Sequence, residues 1–221
     1  MQTALQFGPV LIHIDALLRG VVQTLQLAVL SILFGSIIGT LGAIGRSFGP
    51  RWVSWPIAAY VELIRNTPLL IQLYFVFFSL PMFGVKLDSN SAAILALSIH
   101  LGAYATEIVR AGVEAVPVGQ IEAAKSLGLS SYRIIRHVVL VPAVRAVYPA
   151  LSAQFILQLM GTSIVGAIAA EELTAIANNL VMQTFRSFEV YIVIAVIYFV
   201  LVQAASLCFA GLGRLLFRWK V

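Results

Sequence analysis

Long apolar runs separated by shorter polar segments dominate this chain of 221 residues. A helix that crosses the hydrocarbon core of a membrane needs about 20 predominantly apolar residues. The runs are continuous, whereas the strands of a membrane barrel alternate apolar and polar positions over about 10 residues. The pattern therefore predicts one all-α integral membrane domain with five transmembrane helices. The predicted spans cover residues 21–45, 55–82, 92–114, 146–170 and 190–213.

Glycine and proline residues modify this picture at particular places. In the first span, Gly35 and Gly39 form a GxxxG pair that would allow another helix to approach closely. Glycines that are merely tolerated in a membrane helix explain the pair equally well. In the second span, Pro68 removes a backbone donor and predicts a kink within one helix. Residues 1–19 mix apolar and charged side chains and predict a helix that lies in the membrane interface.

Composition supports the membrane class. Hydrophobic residues make up 61% of the chain and charged residues 10%, with a mean hydropathy of +0.99. Soluble domains average about 45–50% apolar and about 25% charged residues, so no soluble fold would cover this much apolar surface. The single cysteine, Cys208, lies in an apolar run and is expected to be a small buried side chain. A short acidic loop with Glu171 and Glu172 is expected to join the last two spans.

The positions of the basic residues predict the orientation. Membrane proteins keep an excess of Lys and Arg in their cytoplasmic loops. With the N-terminus outside and the C-terminus inside, ten basic residues fall on the inner side and three on the outer side, and Arg65 within the second span is unassigned. Because the charges lie between apolar runs, the net charge of +5 reflects topology, and no nucleic-acid partner is expected. The inner residues are Arg46, Arg51, Arg110, Lys125, Arg133, Arg136, Arg145, Arg214, Arg218 and Lys220, and the outer ones are Arg19, Lys86 and Arg186.

The most polar internal segment, residues 116–145, is predicted to be a cytoplasmic loop between spans three and four. Residues 120–125 are good helix formers, and Gly128 is a suitable C′ residue for that helix. Ser130 is a suitable N-cap for a second, amphipathic helix. That helix would place Ile134, Ile135, Val138 and Val139 on one face and Arg133, Arg136 and His137 on the other. Physical arguments alone leave open whether this hairpin only links two spans.

The loop also carries a sequence motif. Glu122-Ala123-Ala124, three residues and Gly128 resemble the EAA signature of membrane permease subunits of bacterial ATP-binding cassette (ABC) importers. The segments 62–68 and 102–110 further resemble the branch of that family that takes up polar amino acids. The resemblance implies that the loop couples the chain to an ATPase. The implied coupling residues are Glu122, Ala123, Ala124, Gly128, Arg133 and Arg136.

Two departures from the family pattern stand out. Family members usually have a proline directly after a leucine behind the signature. Here Val141 separates Leu140 from Pro142, so the end of the loop is expected to take a different path. Family members often have a lysine just before the Thr-Ser pair of the fourth span. Here Met160 and Gly161 occupy that region, so no substrate contact is carried over from such a lysine.

The resemblance also implies cofactors and partners. The chain contains no G-x-x-x-x-G-K-[ST] phosphate loop, so we expect no ATPase activity and no cofactor of its own, with ATP and Mg on the partner subunits. The implied partners are two cytoplasmic ATPase subunits, a second permease copy or close paralogue, and an extracytoplasmic amino-acid-binding protein. The implied location is the bacterial cytoplasmic (inner) membrane, in contact with lipid.

Ionisable residues within the predicted spans need an explanation, since one charge at the bilayer centre costs about 2.5–3.5 kcal/mol on insertion scales. Glu62 and Arg65 of span two and Glu107 and Arg110 of span three should lie at similar depth. Two acids and two bases at one level can pair across helices. They are either a structural ion-pair cluster or a gate for a charged amino acid.

Uncharged polar side chains lie nearer the predicted middle of the membrane. We expect them to line the path of a polar amino acid, because a zwitterion needs donors for its carboxylate and acceptors for its ammonium group. A histidine that is simply hydrogen-bonded inside the bundle is the alternative for His100. The predicted pathway residues are Gln72, His100, Tyr104, Thr162 and Ser163.

Two other functions compete with an ATP-driven importer. An ion-coupled secondary transporter would need no docking loop and would be expected to show an inverted repeat, which the sequence does not have. A membrane scaffold or sensor that transports nothing would not need the polar residues within the spans.

Overall fold

The computed structural model describes residues 5–217, which contain helices and connecting loops and no strand. Ten α-helices follow one another in this range. They are α1 (Gly8–Leu11), α2 (Ile14–Phe48), α3 (Arg51–Arg65), α4 (Leu69–Ser79), α5 (Ser89–Glu114), α6 (Val118–Ser126), α7 (Ser131–Arg133), α8 (Val141–Gly161), α9 (Leu173–Thr184) and α10 (Ser187–Leu216). Shorter 3₁₀ segments follow α4 (Leu80–Phe83) and α8 (Thr162–Ile168), and a π-helix (Ile134–Leu140) joins α7 to α8.

Four helical stretches in the described range are long and apolar enough to cross a membrane. They are α2, α5, α10 and the continuous helix over Ser131–Ile168. The pair formed by Arg51–Arg65 and Leu69–Phe83 makes a fifth candidate if it counts as one span. The all-α multi-pass class is therefore confirmed, while the orientation and the count of five spans stay predictions.

Helix α5 forms the centre of the bundle and packs against α2, α3, α4 and α8. Its closest neighbour is α2, and a Cβ atom on Gly39 would overlap the Cβ of Ala105 on α5. Gly35 likewise faces Leu101 of α5. The predicted close approach at the GxxxG pair is confirmed, because the missing side chains let the two backbones come together.

The second predicted span is broken, and the prediction of one kinked helix is wrong. Helix α3 ends at Arg65 and α4 begins at Leu69, and the two helices are bent by 112°. Pro68, the N-cap residue of α4, has an extended backbone with ψ of 139°. A proline has no N–H to continue the ladder and disfavours the helical conformation in the residue before it, so the helix stops instead of bending.

Two connections also differ from the sequence prediction. The expected interfacial helix over residues 1–19 is wrong, because only one turn (α1) precedes α2, and α2 already includes residues 14–19. Residues 1–4 lie outside the described range. The segment before the last span, expected to be a short acidic loop, contains a whole helix, α9, that was not predicted from the sequence. Val10 and Leu17 are fully buried against Leu173 and Leu180 of α9, so tertiary packing determines both arrangements.

The cytoplasmic loop predicted over residues 116–145 is shorter than expected. Its second helix begins at Ser131, as predicted, but continues through the π-helix into α8 without a break. The π-helix ends two residues before Pro142, which cannot donate to a preceding carbonyl. The wider π turn changes the predicted faces, since Ile134 is buried and Ile135 is 55% exposed.

The last helix lies at the edge of the bundle and packs on α8 and α9. Tyr148 of α8 donates a hydrogen bond of 2.6 Å to the carbonyl of Phe209. Cys208 is exposed on this helix, so the expectation of a buried cysteine is wrong. An apolar side chain on the outer surface of the bundle avoids water if lipid chains surround it. Hydropathy alone therefore does not distinguish a side chain that faces lipid from one buried inside the protein.

Candidate functional site

The break between α3 and α4 is held by Gln72. Its Nε2 donates to the carbonyls of Ile64 at 2.7 Å and Thr67 at 2.9 Å, and it lies 2.9 Å from Oγ1 of Thr67. These carbonyls lie at the end of α3, where no following helical turn provides donors. Gln72 is 8% exposed. One side chain therefore satisfies the Thr67 carbonyl and adds to the longer hydrogen bond of 3.4 Å that the Thr67 N–H donates to the Ile64 carbonyl, which matters where no water is available within a membrane.

The oxygen of the same Gln72 amide contacts His100, which in turn stacks near Tyr104, and both are predicted pathway residues. Gln72 Oε1 lies 3.0 Å from Nδ1 of His100, and the rings of His100 and Tyr104 are 5.0 Å apart. The guanidinium carbon of Arg65 lies 5.6 Å from the centre of the Tyr104 ring, within the range of a cation–π interaction. The structure thus brings together Gln72, His100, Tyr104 and Arg65 beside the helix break.

Thr162 and Ser163 do not join this group by any hydrogen bond among the described residues. Both hydroxyls donate to carbonyls of their own helix, Thr162 to Leu159 at 2.7 Å and Ser163 to Met160 at 2.8 Å. They lie at the start of the 3₁₀ segment that follows α8. Thr162 is completely buried, so its hydroxyl is unavailable to a ligand in this conformation.

The predicted cluster of four charges has different members in the structure. Glu107 and Arg110 form an ion pair on one face of α5, and Arg46 of α2 lies 2.9 Å from Glu107. Arg110 also pairs with Glu114. Glu62 instead accepts a hydrogen bond of 3.0 Å from Asn66 and forms none of the ion pairs observed in the described range. Of the four charges predicted to form a cluster or a gate, Glu107 and Arg110 pair with each other, and Glu62 does not join them.

Arg46 was missed because it lies just beyond the predicted first span and was read only as an orientation signal. Helix α2 extends to Phe48, which brings Arg46 beside α5. The ion pair between Arg46 and Glu107, whose side chains are 23% and 24% exposed, connects α2 to α5. It lies toward the end of α5 that precedes residues 116–145.

Several further buried polar residues were not predicted, and Gln158 and Glu172 are two of them. Gln158 of α8 is 2% exposed and donates to the carbonyl of Leu97 at 2.8 Å and to Ser31 at 3.2 Å. Glu172 is fully buried and caps α9 by accepting from the N–H groups of Thr174 and Ala175, both at 2.7 Å. The presence of Gln158 within a predicted span was a usable signal, because an amide side chain in the membrane requires partners within the bundle.

The predicted coupling segment forms one exposed helix and a glycine turn. Gly128 follows the end of α6 with a positive φ of 74°, and the N–H groups of Gly128 and Leu129 donate to the carbonyls of Lys125 and Ala124, respectively. This is a Schellman motif, and it confirms the prediction of Gly128 as the C′ residue. Glu122 and Ala123 face outward, whereas Ala124 is 5% exposed.

The surface around α6 is both apolar and basic. Leu127 is 81% exposed, Val118 67% and Tyr132 67%. Arg133 and Arg136 are exposed on the next turns, and Arg136 donates to the hydroxyl of Tyr132 at 2.9 Å. Large exposed apolar residues at the end of a bundle are typical of surfaces that bind another protein.

Taken together, the helical bundle and its buried polar groups define a multi-pass helical membrane protein with polar side chains in its interior, with no metal-binding cluster of His, Cys, Asp or Glu in the part of the chain described. The chain belongs to the family of binding-protein-dependent transport system inner membrane components, whose model matches residues 15–218. It is therefore a permease component of an ABC transport system in the inner membrane.

Individual relatives agree with this family. The chain is 34% identical over 204 residues to the glutamine transport system permease protein GlnP of Escherichia coli (strain K12), covering 91% of this chain and 93% of the relative. It is 36% identical over 189 residues to the L-cystine transport system permease protein TcyB of Bacillus subtilis (strain 168), covering 85% and 81%. The crystal structure of an amino acid ABC transporter with histidines matches with a TM-score of 0.89 at 34% identity, covering 96% of this chain and 99% of that one.

Proposed function

We propose that this chain is the translocation subunit of an ATP-driven importer for polar amino acids. The match over 91% of its length to a glutamine permease carries the substrate class, and the match to a solved amino acid ABC transporter supports it. In this proposal the N-terminus is outside, the C-terminus is inside, and α6 lies in the cytoplasm. ATP and Mg are bound by two partner ATPase subunits, and an extracytoplasmic binding protein delivers the substrate.

A second copy of the chain, or a close paralogue, would complete the pathway. At most five candidate spans in the described range are few to enclose a path for a polar molecule. A groove of about 470 Å³ along α4, with Ile71, Phe75 and Gln72 among its lining residues, is open at the side of the bundle. A facing permease would cover this apolar surface and bring two broken spans together.

The coupling role belongs to the surface of α6 and the turns that follow it. Glu122, Ala123 and Ala124 with Gly128 shape the helix and its end, and Arg133 and Arg136 add positive charge beside it. Helix α6 packs against the π-helix, which continues into α8. Movement of a docked ATPase is therefore passed to a membrane helix through direct packing, as expected when rigid halves alternate between two states.

Glu122→Lys tests the coupling role. The side chain is exposed, so the variant should insert and fold normally but lose most ATPase co-purification and at least tenfold of binding-protein-dependent uptake. Lys86→Glu is the matched charge reversal, because residue 86 precedes α5 and Glu122 follows its other end. Normal ATPase association and uptake in Glu122→Lys would refute the coupling assignment.

The pathway assignment rests on the group beside the helix break. We propose that His100 and Tyr104 contact the substrate, with Thr162 and Ser163 exposed to it only in another conformation, and that the Glu107 cluster with Arg65 and Glu62 lies along the exit. His100→Ala should lower uptake at least tenfold and leave assembly with the ATPase unchanged. Gln203→Leu, a change on the exposed face of α10, is the control. Unchanged uptake in both His100→Ala and Thr162→Val would remove these residues from the pathway.

A further inference from the structure

A polar groove lies between the start of α2 and the length of α9. Its volume is about 460 Å³, which is within the range of about 300–1,000 Å³ typical of small-molecule sites. Most of its polar lining comes from six side chains, which are His13, Arg19, Gln23, Glu171, Asn179 and Gln183. This groove, called the α2–α9 groove below, shares no hydrogen bond with Gln72 or His100 among the residues described.

Close packing of two helices forms the base of the groove. A Cβ on Gly20 would lie 2.9 Å from the Cα of Leu173, so the two backbones nearly touch there. Thr24, one turn further along α2, accepts a hydrogen bond of 3.1 Å from the N–H of Leu173. Because residues three and four apart share a helix face, Arg19 and Gln23 lie beside this contact and border the groove.

Side chains of opposite charge, Arg19 and Glu171, line the same groove. Gln23 Nε2 donates to Glu171 Oε2 at 2.7 Å, which places this carboxylate beside Gln23. Arg19 precedes Gln23 by one turn, or about 6 Å along α2. Neither Arg19 nor Glu171 belongs to any ion pair observed between residues 5 and 217. Both charged groups therefore keep hydrogen-bonding capacity for a ligand.

Gln23 has an unused acceptor at the carboxylate end of the groove. Its Oε1 is shielded from water and has no hydrogen-bond partner among the described residues. Buried polar atoms in native structures nearly always have a partner. A cationic donor placed beside Glu171 would provide the partner that Gln23 lacks after a small rotation of the amide.

We propose that the α2–α9 groove binds an α-amino acid as its zwitterion. Arg19 donates to the carboxylate, Glu171 and Gln23 accept from the ammonium group, and Asn179 and Gln183 face the ligand side chain. This inference rests on the proposed function for its substrate class and for placing the groove on the outer face. It adds a position outside the membrane path where a released amino acid is held before it reaches His100.

The presence of both charge signs in one groove favours a small zwitterion over a protein surface. A carboxylate and an ammonium group on one carbon atom satisfy both charges of the groove at once. A protein surface of one sign would meet repulsion at Arg19 or at Glu171. The amide side chains offer donors and acceptors together, so they suit polar ligand side chains of more than one kind.

Binding measurements with matched probes test this site. The permease–ATPase complex in nanodiscs, without binding protein, is titrated with L-glutamine and L-arginine by calorimetry. Two analogues of glutamine each lack one charge, namely 4-aminobutanamide without the carboxylate and glutaramate without the ammonium group. We expect both amino acids to bind and both analogues to bind at least tenfold more weakly. Binding should persist in His100→Ala, which separates this site from the membrane path.

Variants of the groove complete the test. Arg19→Gln and Asn179→Trp should each weaken amino-acid binding at least tenfold, the first by removing the carboxylate donor and the second by filling the groove. Lys86→Gln, which removes an exposed cation elsewhere, should leave the affinity unchanged. Absence of binding by both amino acids, or unchanged affinity in Arg19→Gln and Asn179→Trp, overturns the proposal.

Two other outcomes also decide the matter. If the groove variants weaken association with the soluble binding protein but not amino-acid binding, the groove is a docking surface and the proposal is wrong. Uptake by the wild-type complex with its binding protein tests the proposed function separately. Normal uptake without groove binding would leave that function intact and reject only the α2–α9 site.

Discussion

Oε1 of Gln72 lies 3.0 Å from Nδ1 of His100, and the same Gln72 amide holds the end of α3 through its Nε2. One side chain thus connects a break in a membrane helix to the imidazole that we place on the substrate path. A change in the angle between α3 and α4 would move the partner of His100. If the contact between Gln72 and His100 were formed at one angle between α3 and α4 and broken at another, the shape of the bundle would determine the hydrogen bonding of His100.

Gln72→Leu should destabilise the permease by about 1–3 kcal/mol, because it removes the side-chain donor of the Thr67 carbonyl and the shorter of the hydrogen bonds to the Ile64 carbonyl, both partly buried. The loss should appear as a lower Tm of the purified protein in detergent and as reduced uptake. Gln203→Leu removes an amide from an exposed face of α10 and should change neither. Equal Tm values for Gln72→Leu and wild type would show that the amide does not hold the break.

The ion pair between Arg46 and Glu107 should join α2 to α5 with a measurable coupling energy. A double-mutant cycle with Arg46→Met and Glu107→Gln isolates the pair from the other contacts of each side chain. Because both side chains are 23–24% exposed, we expect a coupling of about 0.5–1 kcal/mol, near the upper end for partly solvated pairs. Unfolding in denaturant measures it, and additive effects of the two substitutions would mean that the pair contributes nothing.

Gly128→Ala should destabilise the end of α6 by about 1 kcal/mol, since φ at this position is +74° and a Cβ is unfavourable there. Gly119→Ala is the matched control. It lies in the first turn of the same helix, its added Cβ would meet nothing within 4 Å, and its φ is not positive. The measurable effect is weaker association with the ATPase in Gly128→Ala alone. Similar behaviour of the two variants would show that the glycine turn does not shape the coupling surface.

Gly39→Val should disturb the contact between α2 and α5, because even a Cβ there overlaps Ala105. Overpacking of this kind costs about 1–3 kcal/mol. Gly211→Val on α10, where an added Cβ meets nothing within 4 Å, should be tolerated. Thermal unfolding of the two variants provides the comparison, and an unchanged Tm in Gly39→Val would mean that the helices separate at little cost.

Local patterns were sufficient for the elements whose cause lies in neighbouring residues. The continuous apolar runs predicted a helical membrane protein, and Gly128 was predicted as the C′ residue of α6 because a glycine after a run of helix formers favours that geometry. The EAA pattern and the residues around Arg65 and Tyr104 pointed to the ABC permease family, and the family match confirms it. In each case the signal lay within a few residues or within one continuous run.

The groups that form the candidate sites come from distant parts of the chain. Arg46 and Glu107 meet only because α2 continues beyond its apolar run, and Glu62 belongs to none of the ion pairs in the described range. Helix α9 was missed since its sequence is only moderately apolar, and it is fixed by buried Glu172 and by packing on α2. The α2–α9 groove exists only through that packing.

The sequence by itself determined that this chain is a helical membrane protein, because hydropathy acts along the chain and the bilayer accepts only backbones that satisfy their own hydrogen bonds. The resemblance of its EAA motif to a known family indicated the permease class. Only the tertiary structure decided which polar groups meet. The amide at the helix break meets His100, which lies 28 residues further along the chain, and two helices far apart in sequence approach each other where glycine leaves room. Such contacts depend on three-dimensional distances that no local pattern contains.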